Sequence, residues 1–319
     1  MYKSSKSFIS LLVYFAIIIV LMVVIAPGFF SASNFDSIFR STATTLIAAM
    51  GMMLVLLIGE IDVSVGAILA ICCVLSGKLA LAGMPLPVCL LASMGFGAML
   101  GLINGLIVVF LHIDSIVATL GLLSIYKGLR ILVTGGAWLT GFPDGFLKLG
   151  QGKTLGINNS IYVAVAVLVI MAVITRKTTF GRNFYAVGSN SEAAKLMGIN
   201  VDRVKVCAYV ICGLLVGLTA VVYTSRFGSV QSNTGNGWEM TIISAAVVGG
   251  TSTLGGEGDA VSVGLGALLI SSLTTLLVFL GVDSLWEEAV QGIIILLSVC
   301  SLSFNFSFRK TKAVGGEGE

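Results

Sequence analysis

The chain has 319 residues, of which 57% are hydrophobic and only 10% charged, with 39 glycines and 4 prolines. A soluble domain carries about a quarter charged residues, so this composition excludes a water-soluble globule and makes lipid the solvent. The formal net charge of +3 is too small to suggest a nucleic-acid partner.

Apolar runs of spanning length define the elements. The first, 8–26, follows Lys3 and Lys6. It reads as a transmembrane helix rather than a signal peptide, because it is nearly full spanning length and no small-residue cleavage pattern follows. Further runs cover 45–59, 63–82, 86–111, 115–133, 161–174, 206–223, 241–254, 260–281 and 288–304. The fold class predicted is therefore all-α, a polytopic membrane bundle of about ten helices. The runs at 45–59 and 241–254 are short for a crossing. They either extend into their flanks or are broken helices ending at mid-membrane depth.

Cation placement sets orientation. With the N-terminus inside, ten crossings also put 176–205 and the tail inside. Eleven of the 18 cations then lie on that side: Lys3, Lys6, Arg176, Lys177, Arg182, Lys195, Arg203, Lys205, Arg309, Lys310 and Lys312. Five fall outside: Arg40, Lys78, Lys148, Lys153 and Arg226; Lys127 and Arg130 are ambiguous. The expectation is N-in and C-in, with a transmembrane domain over 1–304, a cytoplasmic segment at 176–205 and a cytoplasmic tail at 305–319. Gly59-Glu60-Ile61-Asp62 with Ser64-Val65-Gly66 resembles Gly256-Glu257-Gly258-Asp259 with Ser262-Val263-Gly264, a faint internal repeat of the kind transporters carry.

Several chemistries are excluded. The nearest approach to a phosphate-cradling loop, Gly150-Gln151-Gly152-Lys153-Thr154, has Leu147 where the leading glycine belongs. ATP hydrolysis would therefore need another chain. The six cysteines sit in apolar runs without ligand spacing, and His112 is the single histidine, so neither metal nor cofactor is called for. No catalytic constellation is present, and the chain is not expected to be an enzyme.

The segment 181–206 stands out. Ser189 or Asn190 can cap a short helix, Glu192, Ala193, Ala194, Lys195, Leu196 and Met197 favour helix, and Gly198 suits a left-handed stop. Ala193 and Ala194 are small enough for close docking, and Leu196 and Met197 offer an apolar knob for a partner's groove. Alone, the segment also reads as an ordinary capped loop helix.

Its spacing, Glu192-Ala193-Ala194 with Gly198-Ile199, resembles the coupling loop of ABC importer permeases, in the version of the ribose-type sugar permease family. Ile61-Asp62-Val63-Ser64-Val65-Gly66, Asn104-Gly105, Ile116-Val117-Ala118-Thr119-Leu120-Gly121, Thr234-Gly235 with Trp238-Glu239, Gly249-Gly250-Thr251-Ser252 and Gly255-Gly256 are similar to that family's blocks, in order, from about residue 40 to 300. Leu132-Val133-Thr134-Gly135-Gly136-Ala137-Trp138 with Gly141-Phe142-Pro143 looks closest to the autoinducer-2 and rhamnose branch. Glu60 departs from the pattern, which often has Gly or a neutral residue there. The resemblance implies a permease subunit importing a small hydroxylated solute, a sugar or an autoinducer-2-like molecule, across the bacterial inner membrane. It implies ATP-binding subunits docking at Asn190, Glu192, Ala193, Ala194, Leu196, Met197 and Gly198, a second permease protomer, identical or paralogous, and a periplasmic binding protein.

Polar groups within the apolar runs are few, and charge in hydrocarbon is usually paired, cavity-facing or functional. Candidate substrate-path residues are Asp62, Ser64, Asn104, Thr119, Trp238 and Glu239. Each also has a plainer role. Glu60 and Asp62 fit a cytoplasmic turn, Asn104 and Thr119 fit interhelical hydrogen bonding, and Trp238 fits an interfacial anchor. An ion-coupled secondary transporter is the alternative; Asp62 and Asp114 would be its only coupling carboxylates, both at span ends.

Overall fold

The computed structural model describes residue 26, residues 28–282 and isolated positions from 286 to 296. The predicted spans 8–26 and 288–304 and the tail 305–319 lie outside the described residues, apart from those few positions. The helices are α1 (Ala32–Leu57), α2 (Val65–Leu81), α3 (Leu86–Phe110), α4 (Ser115–Thr134), α5 (Asp144–Leu147), α6 (Asn159–Lys177), α7 (Thr179–Ser189), α8 (Ser191–Leu196), α9 (Val201–Phe227), α10 (Trp238–Val248) and α11 (Ala260–Phe279). Strand β1 (Leu139–Thr140) pairs antiparallel with β4 (Ser229–Val230), and β2 (Lys153–Thr154) with β3 (Ile157–Asn158). By length and composition α1, α3, α4, α6, α9 and α11 suffice to cross a membrane, whereas α2 and α10 are shorter apolar helices.

The run predicted at 45–59 is the second half of a longer helix. Ser31 caps α1 by accepting from the Asn34 N–H at 3.3 Å, and the polar first turns of α1 hid its start from a hydropathy reading. From Thr42 to Leu57 every residue of α1 is buried. A helix apolar all round belongs inside a bundle, and α9, α11, α6 and α10 surround this one.

Helices α3 and α9 run antiparallel in the most intimate contact of the fold. Gly97 and Gly101 face Gly213 and the Tyr209 carbonyl so closely that a Cβ on either would overlap that backbone. Lipid tails are as apolar as the side chains, so association inside a bilayer rests on such close packing rather than on expulsion from water.

The bundle has two chemically distinct ends. At one, Asp36 holds Arg40 at 2.7 Å and Lys153 at 3.1 Å, and Lys78 Nζ donates to the Val133 carbonyl at 2.8 Å. The near-match to a phosphate loop lies here, with Gly150 pressed on the Arg226 backbone. At the other end Arg176 pairs with Asp259 at 2.5 Å and Lys205 pairs with Glu60. Arg40, Lys78 and Lys153 thus lie at one end and Arg176 and Lys205 at the other. At this second end α7 docks through Gly188, which abuts the Leu57 carbonyl and the Gly256 N–H. Tyr185 Oη donates to the Gly258 carbonyl at 3.0 Å, and burial raises its phenol above the ordinary value, keeping it a donor.

The second segment of the faint repeat lies beside the end of α1 that leads into the first, since the Gly256 N–H donates to the Leu57 carbonyl at 2.9 Å. Each segment also carries an aspartate that accepts from a nearby serine, two residues on in the first segment and three in the second. Asp62 accepts from the N–H and Oγ of Ser64 at 2.9 and 2.7 Å, and Asp259 accepts from the same two groups of Ser262 at 3.2 and 3.4 Å. Each aspartate precedes a helix, α2 or α11.

Candidate functional site

Two irregular segments interrupt the bundle: residues 58–64 between α1 and α2, and residues 231–237 before α10. Their depth follows from helix lengths. Gly235, at φ 82°, sits on Gly66, and a Cβ on Gly66 would overlap the Gly235 carbonyl and the Glu239 carboxylate. From this contact α2 runs about 22 Å to Leu81 at the Lys78 end, and α10 runs about 16 Å to Val248 at the other end, at about 1.5 Å per residue. The meeting point therefore lies well inside the bundle.

The first interruption is held by a closed polar network. Asn104 Nδ2 donates to Asp62 Oδ2 at 2.9 Å and to Ser64 Oγ at 2.7 Å. Ser64 Oγ donates to Asp62 Oδ1, and Tyr126 Oη donates to Asn104 Oδ1 at 2.8 Å. Asp62, Ser64, Asn104 and Tyr126 are all buried. Unsatisfied polar groups are costly in this setting, and here each finds its partner within the chain. Thr119 serves the same segment from α4: its Oγ1 accepts from the Val63 N–H at 3.1 Å and donates to the Ser115 carbonyl. Ser115 Oγ accepts from the Ile61 N–H at 3.2 Å.

Of the predicted path residues, Asp62, Ser64, Asn104 and Thr119 thus come together around one break, and Glu239 reaches it through Gly66. Trp238 stands apart. It is half-buried at the start of α10, with its ring edge-to-face on Tyr223 at 5.1 Å.

Ser115, Tyr126 and Arg130 were not among the expected site residues. Arg130, 5% exposed, donates from Nη1 to the Thr234 carbonyl at 2.5 Å. It therefore holds the second interruption as Ser115 and Thr119 hold the first. A signal existed: Thr119, Tyr126 and Arg130 lie 4, 11 and 15 residues after Ser115, and all four fall within about 60° on a 3.6-residue helix. Polar residues on one stripe of an apolar helix announce an inward face.

The segment 190–198 forms as the spacing predicts. Asn190 Oδ1 accepts from the Ala193 N–H at 2.9 Å, and Gly198 takes φ 81°. Leu196 is 91% and Met197 69% exposed; Glu192 and Ala193 are also exposed. One residue corrects the expectation. Ala194 is fully buried against its own chain, because its face of α8 packs on α7 and α9. It cannot touch a partner directly. The preceding helix α7 was not anticipated, since its Gly, Arg, Asn and Ser mask an apolar stripe of Phe184 and Val187.

Among curated proteins, the chain is similar to the autoinducer 2 import system permease protein LsrC of Escherichia coli O157:H7, 34% identical over 92% of this chain and 90% of that protein. The LsrC proteins of Escherichia coli strain K12 / DH10B and Salmonella choleraesuis strain SC-B67 are 35% and 36% identical over 88% of this chain and 84% and 82% of theirs. No solved structure matches. The relatives and the six apolar spans make the chain a multi-pass inner-membrane permease of an import system. Residues 34–299 match the family described as branched-chain amino acid transport system / permease component, and the chain belongs to that family.

Proposed function

We propose that this permease imports autoinducer 2 or a closely similar small hydroxylated solute, driven by ATP-binding subunits that dock on α8. The relatives' names carry that cargo. The sparse, mostly neutral polar groups along the interruptions suit a small uncharged ligand better than an ion or an acid. The chain works beside a second permease protomer, and a periplasmic binding protein delivers the solute. In this reading the end bearing Arg176, Lys177, Arg182, Lys195, Arg203 and Lys205 is cytoplasmic, by the excess of cations there. Ten crossings, N-in and C-in, complete the topology.

The observation that carries the coupling assignment is the exposed pair Leu196 and Met197 on a short helix fixed from below. Asn190 caps it, Ala194 anchors it, and α9 begins directly after it at Val201. A push on the knob is thus transmitted to the longest described helix. Alternating access then needs only rigid pieces to rock about the interruptions, and no covalent chemistry falls to this chain. The test is uptake of labelled autoinducer 2 in proteoliposomes, with the binding protein supplied. Uptake should require ATP and the ATP-binding subunits. Uptake driven by an ion gradient without those subunits would instead support a secondary transporter.

A further inference from the structure

We propose that Ser232, Asn233 and Asn236, on the interruption before α10, form the strip that contacts the solute inside the bundle, and that the solute they select is neutral and rich in hydroxyl groups. The inference deepens the permease reading above and rests on it.

Depth is the first ground. Gly235 contacts Gly66, about 16 Å from one end of the bundle and about 22 Å from the other, so its near neighbours lie at membrane depth. Irregular backbone is tolerated there only where protein buries it or where it lines a water-filled cavity. This segment does both. Thr234 and Gly235 turn inward and are buried, while Ser232, Asn233 and Asn236 are exposed. Two carboxamides and a hydroxyl held in hydrocarbon would be unfavourable, so that face belongs to an aqueous path.

The strip is also preorganised. The Thr234 N–H donates to the Gln231 carbonyl and the Asn236 N–H to the Asn233 carbonyl, both at 3.1 Å. The Gln231 N–H donates to Thr234 Oγ1 at 2.9 Å. Arg130 grips the Thr234 carbonyl, and β4 ties the segment's upstream end to β1. Gly235 and Gly237 take φ 82° and 74°, which glycine adopts without strain. A rigid frame lowers the cost of ordering side chains on binding.

The chemistry selects the ligand class. Each asparagine offers an acceptor oxygen and two N–H donors, and a serine offers one hydroxyl of either sense. Such groups match vicinal hydroxyls and carbonyls. Ser232, Asn233 and Asn236 carry no charge, so they offer an ionic solute no counter-charge. The Asp62, Ser64 and Asn104 network, by contrast, directs its hydrogen bonds inward upon itself. Arg130 is a positioning residue that acts through the Thr234 carbonyl.

The experiment uses the whole importer in proteoliposomes and two labelled probes: autoinducer 2 and an analogue lacking one hydroxyl. Uptake per assembled complex is compared for Asn233→Ala, Asn236→Ala and the double variant. The expected result is at least a tenfold loss of autoinducer 2 uptake in the double variant, with the preference over the analogue shrinking at least threefold in each single variant. A role confined to loop folding would lower both probes equally and leave the preference intact, which overturns the proposal. Loss of complex assembly would make the strip a contact between protomers and overturn it too. Failure of the permease reading shows separately, as wild-type uptake that ignores the ATP-binding subunits.

Discussion

Lys205, near the start of α9, forms an ion pair with Glu60 in the interruption between α1 and α2, across 145 residues of sequence. The pair joins the helix that follows Leu196 and Met197 to the polar break that carries Asp62 and Ser64. Glu60 departs from the pattern that the neighbouring residues follow, and in three dimensions its charge is answered. A cation placed early in α9 thus meets the segment that follows the end of α1.

Reversing either charge should therefore impair transport, and reversing both should restore it. Two like charges at about 4 Å repel by about 4 kcal/mol at an effective dielectric constant near 20. Partial exposure of the pair, 27% and 14%, reduces that figure. Glu60→Lys and Lys205→Glu are each expected to lower uptake at least fivefold at equal protein level. The double variant should recover at least half of wild-type uptake. Additive losses in the double variant would mean that the two residues act separately.

The polar network around Asn104 predicts an order of severity. Tyr126→Phe removes one donor and leaves Asn104 Oδ1 short of a partner, a loss of about 1–3 kcal/mol. Asn104→Leu strips donors from Asp62 and Ser64 together and leaves a carboxylate buried with fewer partners, which should cost several times more. Detergent melting curves and membrane yield should rank wild type above Tyr126→Phe and both above Asn104→Leu. Equal stability for the two variants would show that the network is not closed as described.

Much of the bundle was legible in the sequence because lipid imposes a simple rule: apolar runs become helices. The break at 58–64 was visible because Glu60 and Asp62 interrupt two such runs. What escaped has physical reasons. The start of α1 at Ala32 was masked by Asn34, Asp36, Ser37 and Arg40, of which Asn34 donates to the Phe29 carbonyl and Asp36 pairs with Arg40. The stripe shared with Ser115, Thr119 and Arg130 marks Tyr126 as inward-facing, but only its distance from Asn104 reveals its hydrogen bond. The strip at 232–236 escaped because turn residues next to a short run read as an external loop. Their depth depends on Gly66, about 170 residues away.

Glycine packing supplies a stability test with an internal control. A methyl group on Gly101 would strike the Tyr209 carbonyl, whereas one on Gly121 meets nothing within 4 Å. Overpacking of this kind costs about 1–3 kcal/mol, while an exposed helical Gly→Ala gains up to about 1 kcal/mol of helix propensity. Gly101→Ala should lower the melting temperature in detergent by several degrees, and Gly121→Ala should leave it unchanged or raise it. The reverse order would deny the α3–α9 contact.

The proposed coupling helix α8 yields the sharpest separation between folding and function, because neighbouring residues face opposite ways. Ala194 is buried among α7, α8 and α9, while Leu196, two residues on, is 91% exposed. A larger side chain at 194 has no room, so Ala194→Leu should destabilise the docking of α8 by about 1–3 kcal/mol and reduce yield before any partner is added. Leu196 and Met197, the sites of Leu196→Glu and Met197→Glu, are mostly exposed in the isolated chain. Removing an apolar knob and placing a charge in its groove should weaken ATP-binding-subunit association at least tenfold, about 1.4 kcal/mol or more, with melting temperature unchanged. Co-purification and melting curves on the same three variants decide the matter. If Leu196→Glu and Met197→Glu assemble and transport as wild type does, the docking site lies elsewhere on this face, and the Asn190-capped helix is only a connector between α7 and α9.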